Sequence, residues 1–385
     1  MARFSVALLF SLILGAQAAH AKKTVEPVYQ DPFDLAAGGA SLTRASKEGT
    51  LFSNPALLHL ASGFIRWIGS STTLTINKES FNTAKKFLPK SAGGTGGASS
   101  TGSPSTDSSS NNSSTANSSA EIVDDVLKNP VRLGWGEAIS LLTRRVGGAF
   151  FSRFELDLGA HEYGPAGLPQ IELQTESYNG FALGAPVPTP LSWLIFGVTA
   201  KYIMASEEYV SADLVDQTQI SKYSDPKMAK SLYSQNSGVG LDLAALLFFQ
   251  GSSVDLTMAA KADDIGDTQM AGDSSGPKQL KQVNSAGLGL TLHTGADAIH
   301  LSADYRDIGN AYKQPLFKRI YAGTKVTLRQ HLGVAAGFYQ GYPSIGAEVD
   351  LFFLRLALTA YTRELGDHPG VAPRHMYMFS LSTGF

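Results

Sequence analysis

What most constrains this chain is a rhythm. From about residue 131 to its end, stretches of about ten to fifteen residues alternate apolar and polar side chains, and the breaks between them are short and long in turn. Val146, Gly148, Phe150, Ser152, Phe154, Leu156 and Leu158 share one face of such a stretch, while Arg153, Glu155 and Asp157 share the other. Ile299, Leu301, Ala303 and Tyr305 oppose His300, Ser302, Asp304 and Arg306, and Tyr377, Phe379, Leu381, Thr383 and Phe385 oppose Met378, Ser380, Ser382 and Gly384. Coiled into helices, these sets would scatter charge around the whole circumference; as strands they sort cleanly, because side chains alternate across a strand with a period of two.

The pattern predicts fourteen strands, at 63–76, 131–143, 145–159, 170–184, 192–206, 236–249, 252–264, 281–293, 297–308, 316–328, 331–341, 343–352, 354–364 and 375–385. Every second connection is short: Thr143 to Val146, Ala185 to Leu191, Gln250 to Ser252, Thr294 to Asp297, Arg329 to His331, and Phe352 to Leu354. The others are mostly long: 77–130, 160–169, 207–235, 265–280, 309–315 and 365–374. Short turns at one end and long loops at the other, joining strands that are apolar on only one side, are the habit of transmembrane β-barrels. Aromatic residues near predicted strand ends (Trp193, Tyr202, Phe248, Phe249, Tyr305, Tyr321 and Phe385) suit an interfacial girdle.

The N-terminus agrees with export. Arg3, the apolar run Val6–Gly15 and the small residues around Ala18 or Ala21 read as a signal peptide over 1–21, with an apolar core too short to span a bilayer. The 385 residues hold no cysteine, which leaves neither a lipoprotein anchor nor a disulfide framework. A net charge of −2 carries no nucleic-acid footprint, and no later stretch is long and apolar enough for a helical span. Hydrophobic residues make up 43% of the chain and Gly numbers 39, a mixture that suits strands only half apolar. An even strand number places both barrel ends on the periplasmic side. The reading is therefore an exported bacterial outer-membrane protein: all-β, a fourteen-stranded antiparallel barrel over 63–385.

Two segments stand apart from the rhythm. Residues 91–120 are almost wholly Ser, Gly, Thr, Ala and Asn, a composition expected to be a disordered extracellular insert. Residues 22–62 precede the first strand and are too long for a linker. They carry Asp31-Pro32-Phe33, then Gly38-Gly39-Ala40, then Ser53-Asn54-Pro55-Ala56-Leu57-Leu58. The glycines permit positive φ and the Asn-Pro pair signals a turn or helix start. Fourteen strands enclose a lumen that wall side chains do not fill, so this segment is the expected periplasmic or luminal plug.

Gly-Gly-Ala followed by Asn-Pro-Ala, then about fourteen strands and a closing strand that ends on Phe385, resembles the FadL-type outer-membrane transporters. It is similar also to their spirochaetal relatives and to the PorV-like proteins. The resemblance implies an N-terminal hatch containing Gly38, Gly39, Asn54, Pro55 and Ala56, and uptake of hydrophobic or amphipathic small molecules such as long-chain fatty acids, gated by that hatch. Its other branch implies a barrel scaffold or shuttle that holds a secreted protein at the extracellular rim. The expected partners are a hydrophobic ligand and outer-membrane lipid, with no cofactor.

Catalytic patterns are absent from the sequence: there is no G-x-S-x-G, P-loop, H-E-x-x-H or dinucleotide fingerprint, and the histidines never fall at metal-ligand spacing. No enzymatic activity or metal site is expected. Arg153, Glu155, Lys201, Asp304, Arg306, Glu348 and Arg355 fall on predicted lumen faces. Their signs nearly balance, which favours pairing among strands and with the plug over an ion-selective pore.

Overall fold

The computed structural model describes residues 29–45, 47–60, 65–80, 130–163, 168–213, 235–272, 276–295, 297–329, 331–365, 368–371 and 373–384. The signal peptide, the Ser-rich insert with its flanks, most of 207–235 and Phe385 lie outside the described residues. The strands in chain order are β1 (Ile65–Asn77), β2 (Val131–Thr143), β3 (Gly147–Tyr163), β4 (Leu168–Pro188), β5 (Leu194–Asp213), β6 (Asn236–Phe249), β7 (Val254–Asp263), β8 (Thr268–Gln269), β9 (Gln279–Leu280), β10 (Val283–Thr294), β11 (Asp297–Tyr305), β12 (Ile320–Leu328), β13 (Leu332–Tyr339), β14 (Tyr342–Leu351), β15 (Leu354–Glu364) and β16 (Pro373–Gly384). All but β8 and β9 form one closed antiparallel barrel of fourteen strands, sealed where β1 pairs with β16. The ladder runs through every neighbouring pair, with a register shift between β1 and β2 at Ile65/Trp67.

Alternation places the side chains as the sequence implies. On β16, Tyr377, Phe379 and Leu381 are exposed while Met376, Met378, Ser380 and Ser382 are buried. The same order holds around the wall: Leu74, Trp135, Phe150, Phe181, Leu241, Leu288, Val334 and Leu358 all point outward and exposed. A continuous apolar exterior around a polar interior is built for lipid, not water. No helix among the described residues is long and apolar enough to cross a membrane, so the crossing is by strands.

The strands are unequal. β3, β4 and β5 have 17, 21 and 20 residues, whereas β12, β13 and β14 have 9, 8 and 10. At about 3.3 Å per residue, β4 extends roughly 70 Å and β13 roughly 26 Å, so one side of the wall stands far above the other. The alternation in sequence ends β3 at 159 and β5 at 206. Their outer ends instead keep pairing with β4 out to Tyr163↔Leu168 and Gln170↔Asp213. Beyond the bilayer both faces are wet, so backbone pairing continues without the apolar alternation that marks a strand in sequence.

Three further differences have local causes. Leu316–Lys318, read as strand, forms a 3-10 turn before β12. The connection 265–280 contains the β8–β9 ribbon, whose two-residue strands carry no readable period. Tyr321, assigned to an outer girdle, faces the lumen at 2% exposure and packs on Tyr339, because it shares the inward parity of Lys325. Trp193 and Phe249 do stack outside at one rim, with ring centroids 6.0 Å apart.

Candidate functional site

The lumen is filled by residues 29–45 and 47–60. The short helix Pro32–Ala36 begins at Asp31, whose Oδ1 accepts from the N–H of Phe33 (2.9 Å) and Asp34 (3.2 Å), an N-cap that satisfies orphan donors. It ends at Gly38 and Gly39, with φ of 70° and 76°. A side chain at Gly38 would strain that backbone and also sit 2.7 Å from the Phe338 carbonyl of β13. Ser344 of β14 clasps this turn, accepting from the Gly38 N–H at 3.1 Å and donating to the Ala36 carbonyl at 2.9 Å.

Asn54 is fully buried and ties the two arms of the plug together. Its Nδ2 donates to the Leu42 carbonyl at 2.9 Å, and its Oδ1 accepts from the Ala56 N–H at 3.1 Å. Pro55 then opens the 3-10 helix Pro55–Leu60, where its missing N–H costs nothing. The Pro55-Ala56 backbone rests on Gly197 of β5, where a Cβ would have no room. Gly38, Gly39, Asn54, Pro55 and Ala56 are thus brought into one plug, touching different walls.

The first arm, 29–49, is held by charge. Arg355 of β15 lies at its centre: Nη1 and Nη2 grip both Asp31 oxygens at 2.8 and 3.2 Å, Nη1 also reaches Glu48 at 3.1 Å, and Nε donates to Glu348 at 2.8 Å. A bidentate guanidinium held by three carboxylates is a strong and directional anchor. Burial works against ionisation of Asp31, but the attraction and hydrogen bonds of Arg355 prevail and hold its carboxyl below the usual range. Burial dominates at Glu48 and pushes its carboxyl up. Lys325 of β12 pairs with Asp34. Asp304 of β11 accepts from the Ser41 and Leu42 N–H groups at 2.7 and 3.0 Å, and Arg306 donates to Ser41 Oγ at 3.1 Å while lying 4.7 Å from the Tyr321 ring.

The second arm, 50–60, meets the opposite wall with apolar side chains. Leu51, Phe52 and Leu58 join Trp67, Leu142, Phe151, Tyr178 and Ile203 from β1–β5 in one cluster. Tyr29 and Phe52 rings lie 5.2 Å apart, and Phe52 meets Phe151 edge-on at 5.5 Å. The cluster continues toward the outer mouth through Met270 and Leu280, carried by the β8–β9 connection as it folds over Gly238 of β6. Lys261 of β7 donates to the Phe52 carbonyl, a polar tie at the edge of this arm.

The remaining lumen charges also pair. Arg153 Nε donates to Glu155 at 2.8 Å, and Glu155 further binds Arg132 and Arg363. Lys201 reaches Asp242 at 2.8 Å and Asp264 at 3.1 Å. Beneath the Glu155 cluster, a cavity of about 40 Å³ bordered by Tyr29, Tyr361 and Met378 is too small for any organic ligand. Among the described residues no group of three or more His, Cys, Asp or Glu could hold a metal ion.

The sequence reading missed the luminal strand glycines. Gly184, Gly197, Gly323, Gly337 and Gly346 each face a plug atom that a Cβ would crowd. The signal was there: glycines recur at inward parity, where barrel walls otherwise present polar side chains. It also passed over Asp31 and Glu48 as plug carboxylates, because their partner Arg355 lies more than 300 residues away.

A closed, even-stranded antiparallel barrel with an apolar exterior and a plugged, charge-paired interior defines an outer-membrane β-barrel protein. No protein-family model and no curated protein matches the chain by sequence. Solved structures similar to it include a TodX mutant described as a monoaromatic hydrocarbon channel (11% identity, 92% of this chain and 98% of that one, TM-score 0.44). Another is the Ralstonia pickettii toluene transporter TbuX (10% identity, 92% and 98%, TM-score 0.47). The outer membrane phospholipase A from Escherichia coli is similar over less of the chain (14% identity, 54% and 84%, TM-score 0.30). The architecture stands on its own strand ladder.

Proposed function

We propose that this barrel is a FadL-type channel for uptake of hydrophobic or amphipathic small molecules across the outer membrane, with the structure described being its closed state. One observation carries the reading: the ion pairs that fasten the plug to the wall lie on one side, beside apolar packing, while the other side is sealed mainly by apolar contacts. An apolar seam through Phe52, Phe151, Tyr178 and Ile203 offers a hydrophobic solute a continuous surface, whereas a porin-like aqueous path would be lined by polar groups. Long-chain fatty acids, apolar along most of their length, are the first substrate to try against that seam. Gating is assigned to movement of the second arm about Asn54-Pro55, while the first arm stays fastened.

The test is uptake of a labelled long-chain fatty acid, and separately of labelled toluene, into liposomes carrying the refolded barrel. A second preparation lacks residues 24–62. Saturable uptake by the intact barrel, changed by the deletion, supports the channel; a folded barrel no better than empty liposomes for both probes refutes it. The scaffold reading, with a secreted protein at the rim, draws on the tall β3–β5 wall and would then take its place.

A further inference from the structure

The lipid-facing wall is not uniformly convex. Across β10 to β14, outward side chains shrink to Ala303, Ala322, Thr324 and Ala336, which are cross-strand neighbours: Ala303 pairs with Ala322 and Thr324 with Ala336. Leu288 and Leu301 border this floor on one side, and Phe338 and Ile345 on the other. The result is an external trough of about 1090 Å³, just above the roughly 300–1,000 Å³ of small-molecule sites. Directly behind the floor, Gly323 and Gly337 are pressed by Ala37 and Gly38 of the plug, so the wall is little more than backbone here.

The trough has a polar end. It runs past Ala360 and Tyr377 to His375 of β16 and Lys78 just past β1, both exposed at the outer end of the wall, and takes in Thr362 of β15, which is buried. Thr362 Oγ1 and His375 Nδ1 are hydrogen-bonded at 2.9 Å, which fixes the imidazole. Lys78 is exposed and makes no ion pair among the described residues. An apolar trough in the outer-leaflet half, closed by an ammonium and hydrogen-bonding groups at head-group depth, has the shape and charge of a phospholipid lying along the wall.

We propose that this trough holds one anionic phospholipid, with an acyl chain over Ala303, Ala322 and Ala336 and its phosphate at Lys78 and His375. The site is separate from the lumen and does not depend on what the channel carries. Chain and head group are recognised by different residues, so each is removable alone.

The probe is native mass spectrometry of the full-length barrel in detergent, titrated with phosphatidylglycerol or phosphatidylcholine of identical chains. The expected result is one retained lipid, with phosphatidylglycerol favoured about fivefold, the value of one lysine near a membrane surface. Lys78→Gln should bring the two lipids to parity without loss of phosphatidylcholine, and Ala322→Phe should lower retention of both. Each variant faces lipid and is checked for folding by heat-modifiable gel mobility. Equal retention of both lipids by the wild type, or retention unchanged by Ala322→Phe, overturns the proposal and leaves only annular lipid. A wild-type dimer that Ala322→Phe dissociates overturns it in favour of a second copy of the chain.

Discussion

Apolar side chains pack the plug against both sides of the lumen, but its ion pairs to the wall lie toward one side alone among the described residues. Toward β10–β16 the first arm is fixed by directional contacts: Arg355 on Asp31, Glu48 and Glu348, Lys325 on Asp34, Asp304 on two backbone amides. Toward β1–β5 the second arm rests on Phe52, Leu51 and Leu58 against aromatic and aliphatic wall residues. Ion pairs in a closed lumen are costly to break singly, because the surviving partner is left buried and unpaired. Apolar contacts lose little when a hydrophobic molecule replaces one face of the packing, since the ligand buries the same surface. One side is therefore an anchor and the other a seam that a greasy ligand opens at little cost.

The largest disruption of this contrast is expected from Arg355→Met, which strands three carboxylates. It should weaken plug attachment by about 3–5 kcal/mol, seen as protease cleavage within 29–60 while the heat-modifiable barrel remains. Phe52→Ala acts on the seam and should cost about 3 kcal/mol. Its signature differs: hydrophobic probe uptake rises while cleavage of the first arm stays at the wild-type level. Gly323→Ala places a Cβ against the Ala37 backbone and should cost about 1–3 kcal/mol, read as a lower denaturant midpoint for plug release.

Acidity separates the two plug carboxylates held by Arg355, with the least effect. Asp31, held below the usual range, stabilises the plug at neutral pH and loses that contribution only as pH falls through its lowered value. Glu48, raised by burial, takes up its proton first on acidification, in the window above the ordinary glutamate value, and that protonation favours the folded state. Plug attachment should then hold or firm slightly from neutral to mildly acid pH and weaken only in strong acid. Limited proteolysis across a pH series checks this, with a steady loss from neutral pH downward as the contrary result.

Much of the barrel was legible because a bilayer imposes alternation. Phe150, Phe154 and Phe379 must face lipid, and their partners at odd spacing must not. The strands lost that legibility where the bilayer ends, as at 207–213 on β5, since pairing there has no apolar face to betray it. The plug's glycine-rich turn and its Asn-Pro start were visible as local chemistry. Its fastening was not, because Arg355 meets Asp31 only after the chain closes, and because Gly197 and Gly323 act through a side chain they lack. Tyr321 shows the same limit: an aromatic at a strand end suits girdle and lumen alike until parity is fixed.

The central claim is that the ionic side stays fixed while the apolar side opens. A chain without cysteine permits a direct test with Leu42→Cys and Gly287→Cys: a Cβ at 287 would lie 3.0 Å from that of Leu42, somewhat inside the ~3.5–4.5 Å of a disulfide, and 2.5 Å from Asp304 Oδ1, so the reduced pair, in which Asp304 must shift as well, is the reference. The account predicts that the oxidised pair, which locks the first arm to β10, takes up hydrophobic probe at the rate of the reduced pair. Uptake abolished by oxidation and restored by reductant would contradict it, and would mean that the whole plug must leave its anchor.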